Sequence, residues 1–100
     1  MATRFTIYCG LKVGKDDSPC TLAKSRALVY DFAGQELKAF TAIEAIGFWR
    51  SEAEPTIVIT FITDSKTGIT SVNSFAHAYK WSNNQESVMI TEEEISARLY

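Results

Sequence analysis

Residues 56–62 read Thr-Ile-Val-Ile-Thr-Phe-Ile, a run in which every side chain is β-branched or aromatic. Such side chains are stiff against a helical turn and pack well on a pleated surface, so the run predicts a strand. Pro55 is tolerated as its first residue, where no ladder bond needs the missing N–H. The segment before it, Leu37 to Trp49, is also strand-like. Phe40, Ala42, Ile46 and Phe48 alternate with Thr41, Ile43, Ala45 and Trp49. Both sets are largely apolar, which suits a strand covered on both sides. The polar link from Arg50 to Glu54 joins the two strands as an antiparallel hairpin.

The flanking segments complete a pattern around this hairpin. Phe5, Ile7, Cys9 and Leu11 fall on one face of an opening strand, opposite Thr6, Tyr8 and Gly10. After the loop from Lys12 to Asp17, Ser18-Pro19 reads as a helix start, because proline at the first helical position gives up an N–H that has no partner there. Leu22, Val29 and Ala33 form its apolar stripe, widened by Leu28 and Phe32, and Gly34 predicts its stop. Asp64 to Gly68 reads as a loop. Ile69, Val72, Phe75 and Tyr79 recur at helical steps up to Ser82-Asn83-Asn84, and Ser87 to Thr91 forms a last short strand. Glu92-Glu93-Glu94 is a charge run that fits either a helix start or a polar break before an extended tail of Ile95, Ala97 and Leu99. The order β-α-β-β-α-β predicts the α+β, ferredoxin-like fold: one domain over residues 1–100, with a four-stranded antiparallel sheet and two helices on one face.

Composition narrows the function classes. Ten Lys+Arg stand against twelve Asp+Glu, a net charge of −2, so the chain offers no basic footprint for nucleic acid or an anionic membrane. It has no run of about 20 apolar residues and no signal-peptide core. With only two cysteines, Cys9 and Cys20, it reads as cytoplasmic with reduced thiols, Cys9 acting as a small apolar strand residue. The stretch Gly10-Leu-Lys-Val-Gly14-Lys15 is one residue short of a phosphate loop, and Asp16 stands where a hydroxyl should be. His77 is the one histidine, which removes multi-histidine metal sites, and neither metal nor cofactor is expected.

Several short motifs carry a resemblance. Tyr8-Cys9-Gly10-Leu11, Gly47-Phe48-Trp49-Arg50, Glu54-Pro55-Thr56, Tyr79 and Gln85-Glu86-Ser87-Val88 occur in that order along most of the chain. The chain thereby resembles an uncharacterised family of small bacterial domains, which implies a fold and no activity. It departs from that family in Lys80-Trp81-Ser82-Asn83-Asn84, where an aromatic usually precedes the glutamine. It is more faintly similar to the trimeric PII and CutA-like proteins, whose ligands sit in clefts between subunits. A phage enzyme that cleaves S-adenosylmethionine looks like the same fold.

Three functions compete. The first is a homo-oligomer, dimer or trimer through its open sheet face, that binds a small anionic ligand or a protein. The second is a small enzyme with its site at a subunit junction, for example a lyase acting on a nucleoside-type substrate. The third is a viral or regulatory inhibitor that acts by binding. The site candidates are Tyr8, Trp49, Arg50, Glu54 and Glu86, with Arg50 as an anion holder and Glu54 or Glu86 as a general base. The competing reading makes Arg50 and Glu54 a weak surface pair beside a turn, and Trp49 packing.

Overall fold

A computed structural model describes residues 1–98, with the side chain of Trp49 outside the described set. The elements are β1 (Ala2–Gly10), α1 (Pro19–Glu36), β2 (Thr41–Trp49), β3 (Glu52–Thr63), α2 (Lys66–Ser82) and β4 (Met89–Ile95). They form an antiparallel sheet in the order β2-β3-β1-β4, the ferredoxin-like arrangement.

The period-2 alternation sorts the central strands cleanly. Phe5, Ile7 and Cys9 of β1 pair across from Phe61, Ile59 and Ile57 of β3. All six are buried in one cluster with Val29 and Ala33 of α1 and Val72, Phe75 and Tyr79 of α2. The helices therefore cover the face that carries these odd-numbered residues. Thr6, Tyr8, Val58 and Thr60 lie on the opposite, open face and are only half-buried.

Element ends differ from the sequence expectation at both helices, at the hairpin and in the outer strands, where β2 starts at Thr41 and not at Leu37 and β4 at Met89 and not at Ser87. Helix α1 does not stop at Gly34 but runs to Glu36. The extra turn brings Leu37 into the core at 5% exposure, and Lys38, at φ 67°, takes the left-handed position instead. Helix α2 begins at Lys66, because the Ser65 hydroxyl accepts from the Gly68 N–H at 3.0 Å. The hairpin link shrinks to Arg50-Ser51, both at positive φ, so β3 starts at Glu52 and not at Pro55. The acidic run is strand: Glu92, Glu93 and Glu94 pair across from Phe5, Arg4 and Thr3. Leu99 of the expected extended tail lies outside the described residues.

The β2–β3 hairpin outruns the rest of the sheet. Gly10, the last β1 residue, pairs with Thr56, so the pairs Gly47–Glu54 and Trp49–Glu52 have no third strand beside them. Ile46 and Phe48 sit on the helix side of this overhang and are 69% and 75% exposed.

Candidate functional site

On the open face, four small residues meet where β1 ends. Ala45 pairs with Thr56, Thr56 with Gly10, and Gly47 with Glu54. Two glycines and an alanine leave a notch in a sheet surface otherwise carrying larger side chains. The Glu54 carboxylate folds into it. A Cβ on Gly10 would lie 2.7 Å from Glu54 Cδ, closer than real Cβ contacts allow, so Gly10 is the only residue type that leaves the carboxylate its seat. The Thr56 hydroxyl donates to the Glu54 carbonyl at 2.9 Å and fixes the backbone beside it.

The end of β1 is clamped by residues far away in sequence. The buried Tyr79 hydroxyl donates to the Gly10 carbonyl, and it accepts from Asn83 Nδ2 at 3.0 Å. The Ser25 hydroxyl donates to Asn83 Oδ1 at 2.9 Å, closing a chain of buried polar groups from α1 through α2 to β1. The Leu11 N–H donates to the Pro55 carbonyl at 3.0 Å, and Gln85 Nε2 donates to the Lys12 carbonyl at 2.9 Å. Three successive residues are thus held from three directions. Burial pushes the Tyr79 hydroxyl above its usual pKa, helped by the negative charge available at Cys9 and at Glu54 and opposed by the Asn83 hydrogen bond.

A band of apolar side chains crosses the same face. Ile43, Val58, Tyr8 and Met89 are register partners across all four strands, with Ile43 and Met89 each 59% exposed. The next row is four threonines, Thr41, Thr60, Thr6 and Thr91. Beyond it, Ile62 is 48% exposed and Arg4 pairs with Glu93, its Nε donating at 2.8 Å.

The five sequence candidates all belong to this end of the sheet, at different distances from the notch. Tyr8 and Glu54 share the open face there. Trp49 ends β2 opposite Glu52. Arg50 occupies the hairpin tip, three residues beyond the Gly47–Glu54 pair, or about 10 Å of strand. Glu86 is exposed in the connection from α2 to β4. A 280 Å³ depression shares Ala45 and Thr56 with the notch, is otherwise lined by Leu11, Arg26, Glu44, Ile46 and Pro55, and contains none of the five. Across it Arg26 pairs with Glu44 at 2.5 Å. The notch is the better candidate, because a carboxylate and a clamped backbone converge there. Sequence reasoning missed Ser25 and Asn83. The available signal was a hydroxyl on the apolar stripe of α1, one turn from Leu22 and Val29.

No protein-family model matches the sequence, and a search of curated proteins finds no match. Solved structures do share the fold. A phage SAM lyase in complex with S-methyl-5'-thioadenosine aligns with a TM-score of 0.63 at 19% identity, over 93% of this chain and 81% of that one. A phage SAM lyase in the apo state aligns with a TM-score of 0.59 at 21% identity, over 98% of this chain and 91% of that one. At such identities the likeness is one of fold.

Proposed function

We propose that this chain is a small oligomeric lyase that binds S-adenosylmethionine at the notch around Gly10 and breaks the bond between its sulfur and its amino-acid arm. The observation that carries this reading is the half-buried Glu54 carboxylate seated over Gly10, in a fold shared over nearly its whole length with a phage SAM lyase. Release of S-methyl-5'-thioadenosine from that sulfonium breaks the bond from sulfur to Cγ, and the electron pair goes to sulfur. A lyase adds no water. Cγ is then satisfied either by the arm's own carboxylate, which closes a lactone, or by loss of a Cβ proton to a base such as Glu54.

In both routes the sulfonium charge vanishes together with that of a carboxylate. Charge annihilation is favoured in a dry site, where water no longer stabilises the separated charges. The apolar band of Ile43, Val58, Tyr8 and Met89 supplies one dry wall, and a second copy of the chain supplies the other. Glu54 meets the cationic part of the ligand, Arg50 its carboxylate, and the Tyr8 ring its base. Arg50 stands about 10 Å along the hairpin from Glu54, so it serves the far end of the ligand or the notch of a neighbouring copy.

The test is incubation with S-adenosylmethionine, chromatography for S-methyl-5'-thioadenosine, and calorimetric titration. The reading expects turnover, and a fall in kcat/KM of about 100-fold or more in Glu54→Gln at unchanged Tm. Binding without turnover would leave a non-catalytic ligand binder. Neither binding nor turnover would remove the reading altogether.

A further inference from the structure

The buried chain Ser25–Asn83–Tyr79 ends on the carbonyl of the same residue whose bare Cα seats the Glu54 carboxylate. We infer that Tyr79, oriented by Asn83 and Ser25, is a positioning residue: it fixes the Gly10 backbone and through it the place of the Glu54 carboxylate. This rests on the reading of Glu54 as the working group of the site.

The geometry argues for a dedicated device over ordinary core packing. Packing alone would be served by phenylalanine, as at Phe75, whose ring stacks on Tyr79 with centroids 6.4 Å apart. The hydroxyl adds nothing to that stack, and its place in an apolar core requires the partners it has. Asn83 and Ser25 are themselves buried, at 4% and 0% exposure, so two further polar groups are committed to hold it. The Gly10 carbonyl is also where help is needed. It closes β1, just beyond the reach of β4, whose pairing starts at the Tyr8–Met89 register. Glu54 lies on the overhanging hairpin with no β1 residue beside it in register. The sheet holds Gly10 through its pairing with Thr56 and the Leu11 N–H bond to Pro55, and the Tyr79 hydroxyl adds a hold on its carbonyl from the core side. The Glu54 charge also reaches the Tyr79 hydroxyl and adds to its raised pKa, which places the two groups within electrostatic range.

The experiment reads Glu54 directly. In protein labelled with ¹³C at the glutamate carboxyl carbons, eight glutamates give side-chain resonances, and Glu54→Gln identifies the one of interest. Gly10→Ala, which forces the carboxylate out of its seat, defines the shift that displacement produces. Tyr79→Phe is expected to move the Glu54 resonance in the same direction, leave the other seven in place and lower kcat on S-adenosylmethionine about tenfold with little change in KM. Asn83→Ala is expected to give a smaller shift of the same sign, and none further when added to Tyr79→Phe, since both act through one carbonyl. Val72→Ala, a buried truncation in the same helix that removes no bond to Gly10, controls for lost stability. It should lower Tm and leave Glu54 unmoved. An unmoved Glu54 resonance in Tyr79→Phe, or an equal shift in Val72→Ala, overturns the inference. Should Tyr79→Phe fail to fold, Asn83→Ala decides by the same readout. Should the wild-type protein not cleave S-adenosylmethionine, the functional reading falls while the resonance shifts still decide the positioning role.

Discussion

Val58 and Ile59 are neighbours of nearly equal size and chemistry, and the pleat gives them opposite fates. Ile59 is fully buried under the helices, while Val58 is half-buried on the open face between Ile43 and Tyr8. Ile59→Asp therefore places an unpaired carboxylate in the core, at a cost of several kcal/mol that approaches the whole stability of a small domain. It should yield insoluble or unfolded protein. Val58→Asp should give a folded, soluble chain with a native circular dichroism spectrum; equal damage from both would contradict the two-sided sheet. Cys9 is the other residue whose chemistry is set by burial. Burial pushes its thiol up to about 12 from the ordinary 9.0 by desolvation. The unfolded chain thus releases this proton first. Stability is level below pH 9 and falls as pH rises toward 12, by up to about 1.4 kcal/mol per pH unit. Tyr79, also raised, adds to the slope at the alkaline end. Urea midpoints from pH 8 to 10.5 should fall less steeply in Cys9→Ala than in the wild-type protein, and parallel curves would show that the thiol is not the cause.

The elements carry their own strain and protection. The hairpin turns on Arg50 and Ser51 with φ of 50° and 67°, the signature of a two-residue type I′ turn, a conformation that favours asparagine and glycine. A side chain in the left-handed region costs about 1 kcal/mol. Ser51→Gly is expected to raise the unfolding free energy by about 0.5–1 kcal/mol in denaturant titration, and a loss of stability would mean that the Ser51 side chain makes a contact worth more than the strain. The two edge strands are defended unequally. Strand β4 carries Glu92, Glu93 and Glu94, charges that discourage pairing with another sheet. Strand β2 carries one charge, Glu44, already engaged with Arg26, beside exposed Ile43, Ile46 and Phe48.

At the scale of the molecule, that asymmetry points one way. An open face with Ile43, Ile62 and Met89 about half exposed, together with Ile46 and Phe48 exposed on the helix side of the overhang, is more apolar surface than a monomer usually shows. Light scattering is expected to give a dimer or trimer, with about 800 Å² buried per partner, and Val58→Asp should shift it toward monomer. A wild-type mass of 11.2 kDa at micromolar concentration would contradict the assembly.

Periodicity and propensity act between residues a few positions apart, and for that reason the chain alone determined the six elements, their order, the buried face of β1 and, Ile69 apart, that of α2; both faces of β3 are apolar, so the chain alone did not choose between Val58 and Ile59. Local signals failed where a distant contact outweighed them. The core's demand for Leu37 carried α1 past Gly34, and pairing with β1 drew the glutamates of β4 into a strand that their own propensity disfavours. Tyr8, Glu54 and the other candidates were legible as residue types without a place. Only the tertiary structure decided that Gly10 seats the Glu54 carboxylate and that Tyr79, 69 residues away, holds Gly10. The physical reason is that a hydrogen bond across such a separation leaves no period in the sequence: its partners are brought together by the burial of everything between them.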